Sequence, residues 1–90
     1  MAYTVVVRDS AGRRLQRIPE PIRSNIRRRI DRLADNPRPP GAQPLKGVQG
    51  LWRLRVGDWR VVYVIDDERG VVDIRLIGPR GEVYRVIWTQ

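Results

Sequence analysis

Three arginines, Arg53, Arg55 and Arg60, bracket a Gly57-Asp58 pair in a stretch otherwise rich in Trp, Leu, Val and Tyr. The flanking runs, 51–56 and 59–65, have the β-branched and aromatic character of strands. A two-residue loop with Gly at its first central position suits a type II′ hairpin turn. Such a loop sets Val56 opposite Trp59, and therefore Arg55 opposite Arg60. Alternation along the strand brings Arg53 to the same face, across from Val62, and sends Trp52, Leu54 and Val56 to the other. Like charges directly opposite one another destabilise a sheet by about a few tenths of a kcal/mol or more, and no acidic side chain occupies the matching positions. Two readings compete. One is a solvated face whose arginines splay apart over neighbouring aromatics. The other is an anion site, in which guanidinium forks hold phosphate oxygens. The register is the weak step, because a bulge would move every pairing by one residue.

Other side chains are less specific. Arg80 follows Gly78-Pro79 at the end of a third strand-like run and is read either as part of the cluster or as a loop arginine. Tyr84 is suited to stacking on a base or orienting a hydroxyl, and equally to half-burial in a core. Lys46 is the only lysine among 18 cationic residues. Trp52, Trp59 and Trp88 read as packing residues before base platforms. The arginines from Arg23 to Arg32 read as a solvated helix face that adds long-range attraction.

The composition narrows the chemistry. The 90 residues contain no Cys and no His. That excludes a disulfide framework, a thiol nucleophile, a Cys-based zinc site and any imidazole base. Acid–base work falls to Asp, Glu, Tyr, Lys46 or a bound partner; no metal and no cofactor is expected. A net charge of +8 points to a polyanionic partner, most often nucleic acid. The longest apolar run, Val61 to Ile65, is far short of the ~20 residues of a membrane span. Met1 to Thr4 lacks the basic start and apolar run of a signal peptide. The expectation is a cytoplasmic protein without a membrane partner.

The elements that must position these residues follow from pattern. Tyr3 to Arg8 reads as a strand. Asp9 or Ser10 offers an N-cap for a helix over roughly 11–18, which Pro19 ends. Pro21 opens a second helix on which Ile22, Ile26, Ile30 and Leu33 draw one apolar stripe; Asn36-Pro37 closes it. Residues 36–50, rich in Pro and Gly, read as a long loop. Strands over 51–56, 59–65 and 71–77 follow, and Glu82 to Trp88 has the character of a fourth, short run. The expectation is one α+β domain over 1–90: an antiparallel-rich sheet of about four strands with an N-terminal helical hairpin on one face.

The run Leu45-Lys46-Gly47, then Leu51 to Tyr63 with its Leu54-Arg55-Val56-Gly57-Asp58-Trp59-Arg60-Val61-Val62-Tyr63 core, resembles a RelE-type toxin. So does Ile77-Gly78-Pro79-Arg80-Gly81-Glu82-Val83-Tyr84. The likeness to the RelE/ParE superfamily spans nearly the whole chain. It implies the toxin of a type II toxin–antitoxin module: a ribosome-dependent endoribonuclease that enters the ribosomal A site and cuts the bound mRNA. In that chemistry a ribose 2′-oxygen attacks the adjacent phosphate, leaving a 2′,3′-cyclic end and a 5′-hydroxyl. The resemblance also implies a RelB-like antitoxin as partner. Family positions for phosphate contact and transition-state stabilisation fall on Arg53, Arg55, Arg60 and Arg80, and the stacking tyrosine falls on Tyr84. RNA binding falls on Lys46, Arg53, Arg55 and Arg60.

Two departures stand out. Founding members have lysines where this chain has Arg53 and Arg55, and arginine does not give up its proton in a protein. Another branch uses a loop Glu as base, where this chain has Gln43. That leaves Lys46 if the loop folds over the site, or proton transfer to solvent or the ribosome. The alternatives carried forward are a ParE-like inhibitor of DNA gyrase and a catalytically weak member that acts mainly through its antitoxin.

Overall fold

The computed structural model describes residues 2–45, 47 and 50–83. In chain order the elements are β1 (Thr4–Val7), α1 (Asp9–Gln16), α2 (Ile22–Arg32), β2 (Ala42–Pro44), β3 (Leu51–Val56), β4 (Trp59–Asp66) and β5 (Val71–Pro79). The five strands form one sheet in the order β1-β5-β4-β3-β2. Neighbours pair antiparallel except β1, which runs parallel to β5. The expected α+β architecture is present, but with five strands in a mixed sheet.

The extra strand lies inside the segment read as a loop. Ala42, Gln43 and Pro44 pair with Leu54, Arg53 and Trp52. Pro44 cannot donate to a ladder, which an edge strand tolerates. Three residues that follow Pro39-Pro40-Gly41 and end in a proline carry no alternating pattern, so nothing in the composition of 36–50 announces a strand. The expected run over 82–88 is not a strand where it is described. β5 continues to Pro79, and residues 80–83 take a helical turn. Residues 84–88 lie outside the described residues.

Helix boundaries moved as well. α1 starts at Asp9, directly after Arg8, with no side-chain cap; Asp9 instead places its charge in the first turn, against the positive end of the helix dipole. At α2 the residue before the helix is Pro21, and the Glu20 carboxylate accepts the Ser24 backbone N–H at 2.9 Å. Of the predicted stripe, Ile26, Ile30 and Leu33 are buried, whereas Ile22 stays 37% exposed. Among the described residues no helix is long and apolar enough to cross a membrane.

The core sits between the helices and one face of the sheet. Leu54, Val56, Val61, Tyr63, Val72, Ile74 and Ile77 meet Ala11, Leu15, Ile18, Ile26, Ile30 and Leu33 there. Trp52 and Trp59 pack against the same cluster, each with an arginine over its ring: Arg38 on Trp52 at 5.3 Å and Arg14 on Trp59 at 5.9 Å. The helices leave a cleft between them, floored by Leu15 and Ile30 and edged by Val7, Arg23 and Arg27.

Tyr63, the largest fully buried side chain among the described residues, donates its hydroxyl to the Pro37 carbonyl at 2.8 Å. That bond ties the segment after α2 to the central strand. Burial pushes the Tyr63 phenol up to about 12, because the interior penalises its anion. With the folded value above the unfolded one, the contribution is fully present below about pH 10 and is lost as pH rises toward 12. Replacing Tyr63 by Phe should cost about 1–2 kcal/mol at neutral pH, from the stranded carbonyl. It should also flatten the fall in unfolding midpoint between about pH 10 and 12, which thermal melts of the two proteins across that range check.

Candidate functional site

The β3–β4 turn fixes everything around it. Gly57 has φ 59°, and no residue other than glycine has positive φ among those described, so Asp58 does not, as a type II′ turn requires. The register is the expected one: Val56 opposite Trp59, Arg55 opposite Arg60, Arg53 opposite Val62. No bulge interrupts this pair. The irregularity falls instead between β4 and β5, where Val62 pairs with Leu76 and Tyr63 with Ile74, leaving Arg75 as the extra residue. Arg53, Arg55 and Arg60 therefore share the sheet face that points away from the helices.

Their surroundings differ. Arg55 is exposed. Arg53 is half-buried and donates from Nη2 to Gln43 Oε1 at 2.7 Å. Arg60 is only 5% exposed. Its Nη1 donates to the carbonyls of Gly57 and Trp59, both at 3.0 Å, while its buried Nε has no hydrogen-bond partner among the described residues. A guanidinium this buried normally faces a carboxylate; none of the ion pairs among the described residues involves Arg60. The crowding expected from the sequence is thus resolved by depth, with Arg60 folded back on the hairpin carbonyls beneath the surface that carries Arg55.

Beside the arginines lies a small apolar cluster. Leu45, Val62 and Val83 are buried together, with Leu51 and Leu76 against them. Val83 arrives from the 80–83 turn, which closes over the end of the sheet. Arg80 opens that turn, is exposed, and donates its backbone N–H to the Asp58 carbonyl at 3.1 Å. This places Arg80 at the turn end of the hairpin, next to the Arg55–Arg60 pair. Lys46 and Tyr84 lie outside the described residues.

Two features escaped the sequence. Gln43 is a strand residue opposite Arg53, not a loop residue. And Arg14, on α1, grips the Glu82 carboxylate with both terminal nitrogens, at 2.6 and 2.7 Å, a hydrogen bond that holds the Arg14 guanidinium above its ordinary range. These two residues are 68 apart in the chain. No spacing rule connects them, and only opposite charge could have suggested the pair.

As a whole the face offers fixed cationic donors around an apolar plug. The Glu82 carboxylate at its end is held through both oxygens by Arg14, so the chemical capacity of the face is to bind and orient an anion and to neutralise charge developing on it.

Similarity to known proteins gives the family and the fold. The sequence profile of the ParE toxin of type II toxin–antitoxin systems matches residues 5–84. The toxin RelE of Mycobacterium tuberculosis is 38% identical over 85 residues, covering 93% of this chain and 88% of that protein. Among solved structures, the archaeal RelE–RelB complex from Pyrococcus horikoshii matches with a TM-score of 0.79 at 29% identity, over 90% of this chain and 98% of that one. The RelBE2 toxin–antitoxin complex of M. tuberculosis matches with a TM-score of 0.77, also at 29% identity, over 89% of this chain and all of that one (100%).

Gly78 offers a direct check on how the 80–83 turn is seated. It pairs with Arg60, and a Cβ there would lie 3.1 Å from Val83 Cγ2, whereas one on Gly81 would meet nothing within 4 Å. Gly78→Ala should therefore lower stability by about 1–2 kcal/mol through overpacking, while Gly81→Ala should be neutral or slightly stabilising. Denaturant melts of the two variants test this.

Proposed function

Because the chain belongs to the ParE toxin family of type II toxin–antitoxin systems, we propose that it is a ribosome-dependent endoribonuclease whose arginine face grips the scissile phosphate of mRNA. The observation that supports this is Arg60, a buried guanidinium whose hydrogen bonds among the described residues go to hairpin carbonyls, lying beneath exposed Arg55, with neither arginine in an ion pair among the described residues. Such a site is completed by an anion. An RNA phosphate has the charge, and its two non-bridging oxygens match the guanidinium fork.

In the proposed reaction the 2′-oxygen attacks the adjacent phosphorus, the bond to the 5′-oxygen breaks, and a 2′,3′-cyclic phosphate and a 5′-hydroxyl result. Arg55 and Arg60 neutralise the extra negative charge of the pentavalent transition state. Arg53, tethered to Gln43, and Arg80, anchored beside Asp58, hold the backbone in line for the attack. Tyr84 stacks on the neighbouring base, and Lys46 adds a contact to the RNA backbone. Arginine does not give up its proton in a protein, so the 2′-hydroxyl proton passes to solvent or to the ribosome, and the departing 5′-oxygen takes a proton from the same source. A toxin working in this way depends on the ribosome for substrate geometry, and this makes bare RNA a poor substrate.

The partner on this reading is a RelB-like antitoxin. The matching structures from P. horikoshii and M. tuberculosis are complexes of RelE-type toxins with their antitoxins. An antitoxin with carboxylates facing Arg55 would neutralise the same charge that the phosphate uses.

Primer extension on mRNA from cells expressing the toxin tests the proposal. Wild-type protein should produce cuts within translated reading frames. Arg55→Ala and Arg80→Ala should each weaken cleavage by about 10²-fold, the usual loss on removing one preorganised charge-stabilising donor. Growth arrest with translated messages intact, and with gyrase supercoiling inhibited, would replace the nuclease with a ParE-like gyrase inhibitor.

A further inference from the structure

We propose that Arg14 is a positioning residue for this reaction: through Glu82 it fixes the 80–83 turn, and with it Arg80, at the end of the arginine face. The inference rests on the nuclease reading above. It adds a residue of α1, on the helix side of the sheet, that acts on the face through Glu82.

Among the described residues, three ties seat the turn against a repulsion. Arg80 brings a third positive charge to the end of the hairpin, where Arg55 and Arg60 already sit. Like charges gathered at one end of the hairpin repel, which works against seating the turn there. Against that repulsion the described backbone offers one hydrogen bond, Arg80 N–H to Asp58 at 3.1 Å, and one packed side chain, Val83 over Gly78. The third tie is Arg14–Glu82. At 2.6 Å it is the shortest ion pair among the described residues, and both carboxylate oxygens are engaged. A fork-to-carboxylate pair fixes direction as well as distance.

Arg14 is itself held rigidly. It leaves from α1, whose Ala11 and Leu15 are buried in the core, and its guanidinium lies over the Trp59 ring. Trp59 belongs to the strand that carries Arg60. The chain of contacts Trp59–Arg14–Glu82 therefore references the turn to the same hairpin that sets the arginine register. A positioning device built this way acts on the rate of the bound complex, because Arg14 contributes no contact to substrate.

Single-turnover cleavage on purified ribosomes programmed with mRNA tests this, using toxin separated from its antitoxin. Arg14→Ala should lower the rate at saturating toxin by about tenfold, with the half-saturating concentration changed by less than about twofold. Arg14→Lys should recover part of the rate, and the exchanged pair Arg14→Glu with Glu82→Arg should come within about threefold of wild type. Hydrogen exchange supplies the second readout: in Arg14→Ala the Arg80 amide should exchange faster while the amides of β4 are unchanged. A wild-type rate in Arg14→Ala, a loss confined to half-saturation, or an exchanged pair as slow as Arg14→Ala overturns the proposal. Should wild-type protein leave programmed mRNA uncut, the nuclease reading fails; faster Arg80 exchange in Arg14→Ala would then still support the tie to the turn, and unchanged exchange would overturn it.

Discussion

The pairing of Arg55 with Arg60 depends on a single backbone choice at Gly57. Its positive φ closes a two-residue turn between β3 and β4. That turn length sets the register, and the register assigns every side chain of both strands to a face. Trp52, Leu54, Val61 and Tyr63 go to the core beneath the helices. Arg53, Arg55 and Arg60 go to the other side. A turn longer by one residue would send arginines into the core and tryptophan and tyrosine into solvent, so the hydrophobic effect guards the same register that assembles the cationic face. Packing and function are selected by one constraint.

The consequence is a concentration of positive charge that the protein itself does little to neutralise. Arg8, Arg23, Arg38, Arg69 and Arg75 find carboxylates nearby. The end of the sheet away from the hairpin turn is stapled in this way: Asp67 accepts from Tyr3 at 2.6 Å and from Arg38 at 2.9 Å, and the Arg38 hydrogen bond holds its carboxyl below the usual range. The arginines of the face are treated differently. Arg53 has an amide as partner, Arg60 two carbonyls, and among the described residues neither has an acid. Neutral acceptors fix a guanidinium without cancelling its charge, and that is the arrangement an anion-binding face needs.

Much of this was legible in the sequence because it rests on local rules. Strand alternation and the Gly57-Asp58 turn were enough to pair Arg55 with Arg60 and to put Arg53 across from Val62. The stripe at Ile26, Ile30 and Leu33 was enough to orient α2. What escaped was non-local or too short to have a period. β2 is three residues long and draws its identity from Leu54, Arg53 and Trp52 opposite it. β1 pairs in parallel with β5, at the far end of the chain, and its exposed edge gives no alternating pattern. Arg60 shares the alternation of Arg53 and Arg55, yet it is only 5% exposed, a depth no strand pattern encodes. The Arg14–Glu82 pair is of the same kind: it exists only once the sheet has brought α1 and the 80–83 turn to one edge.

The central claim is that the arginine face holds an RNA phosphate for attack by the neighbouring 2′-hydroxyl. The most direct measurement uses ribosomes programmed with an mRNA carrying a single 2′-deoxynucleotide at the cleavage position, compared with the all-ribose message. The account predicts a 2′,3′-cyclic phosphate end from the ribose substrate and no cut at the deoxy position, with toxin binding to the ribosome unchanged. Cleavage persisting at the deoxy position, or products ending in a 3′-hydroxyl, would contradict it.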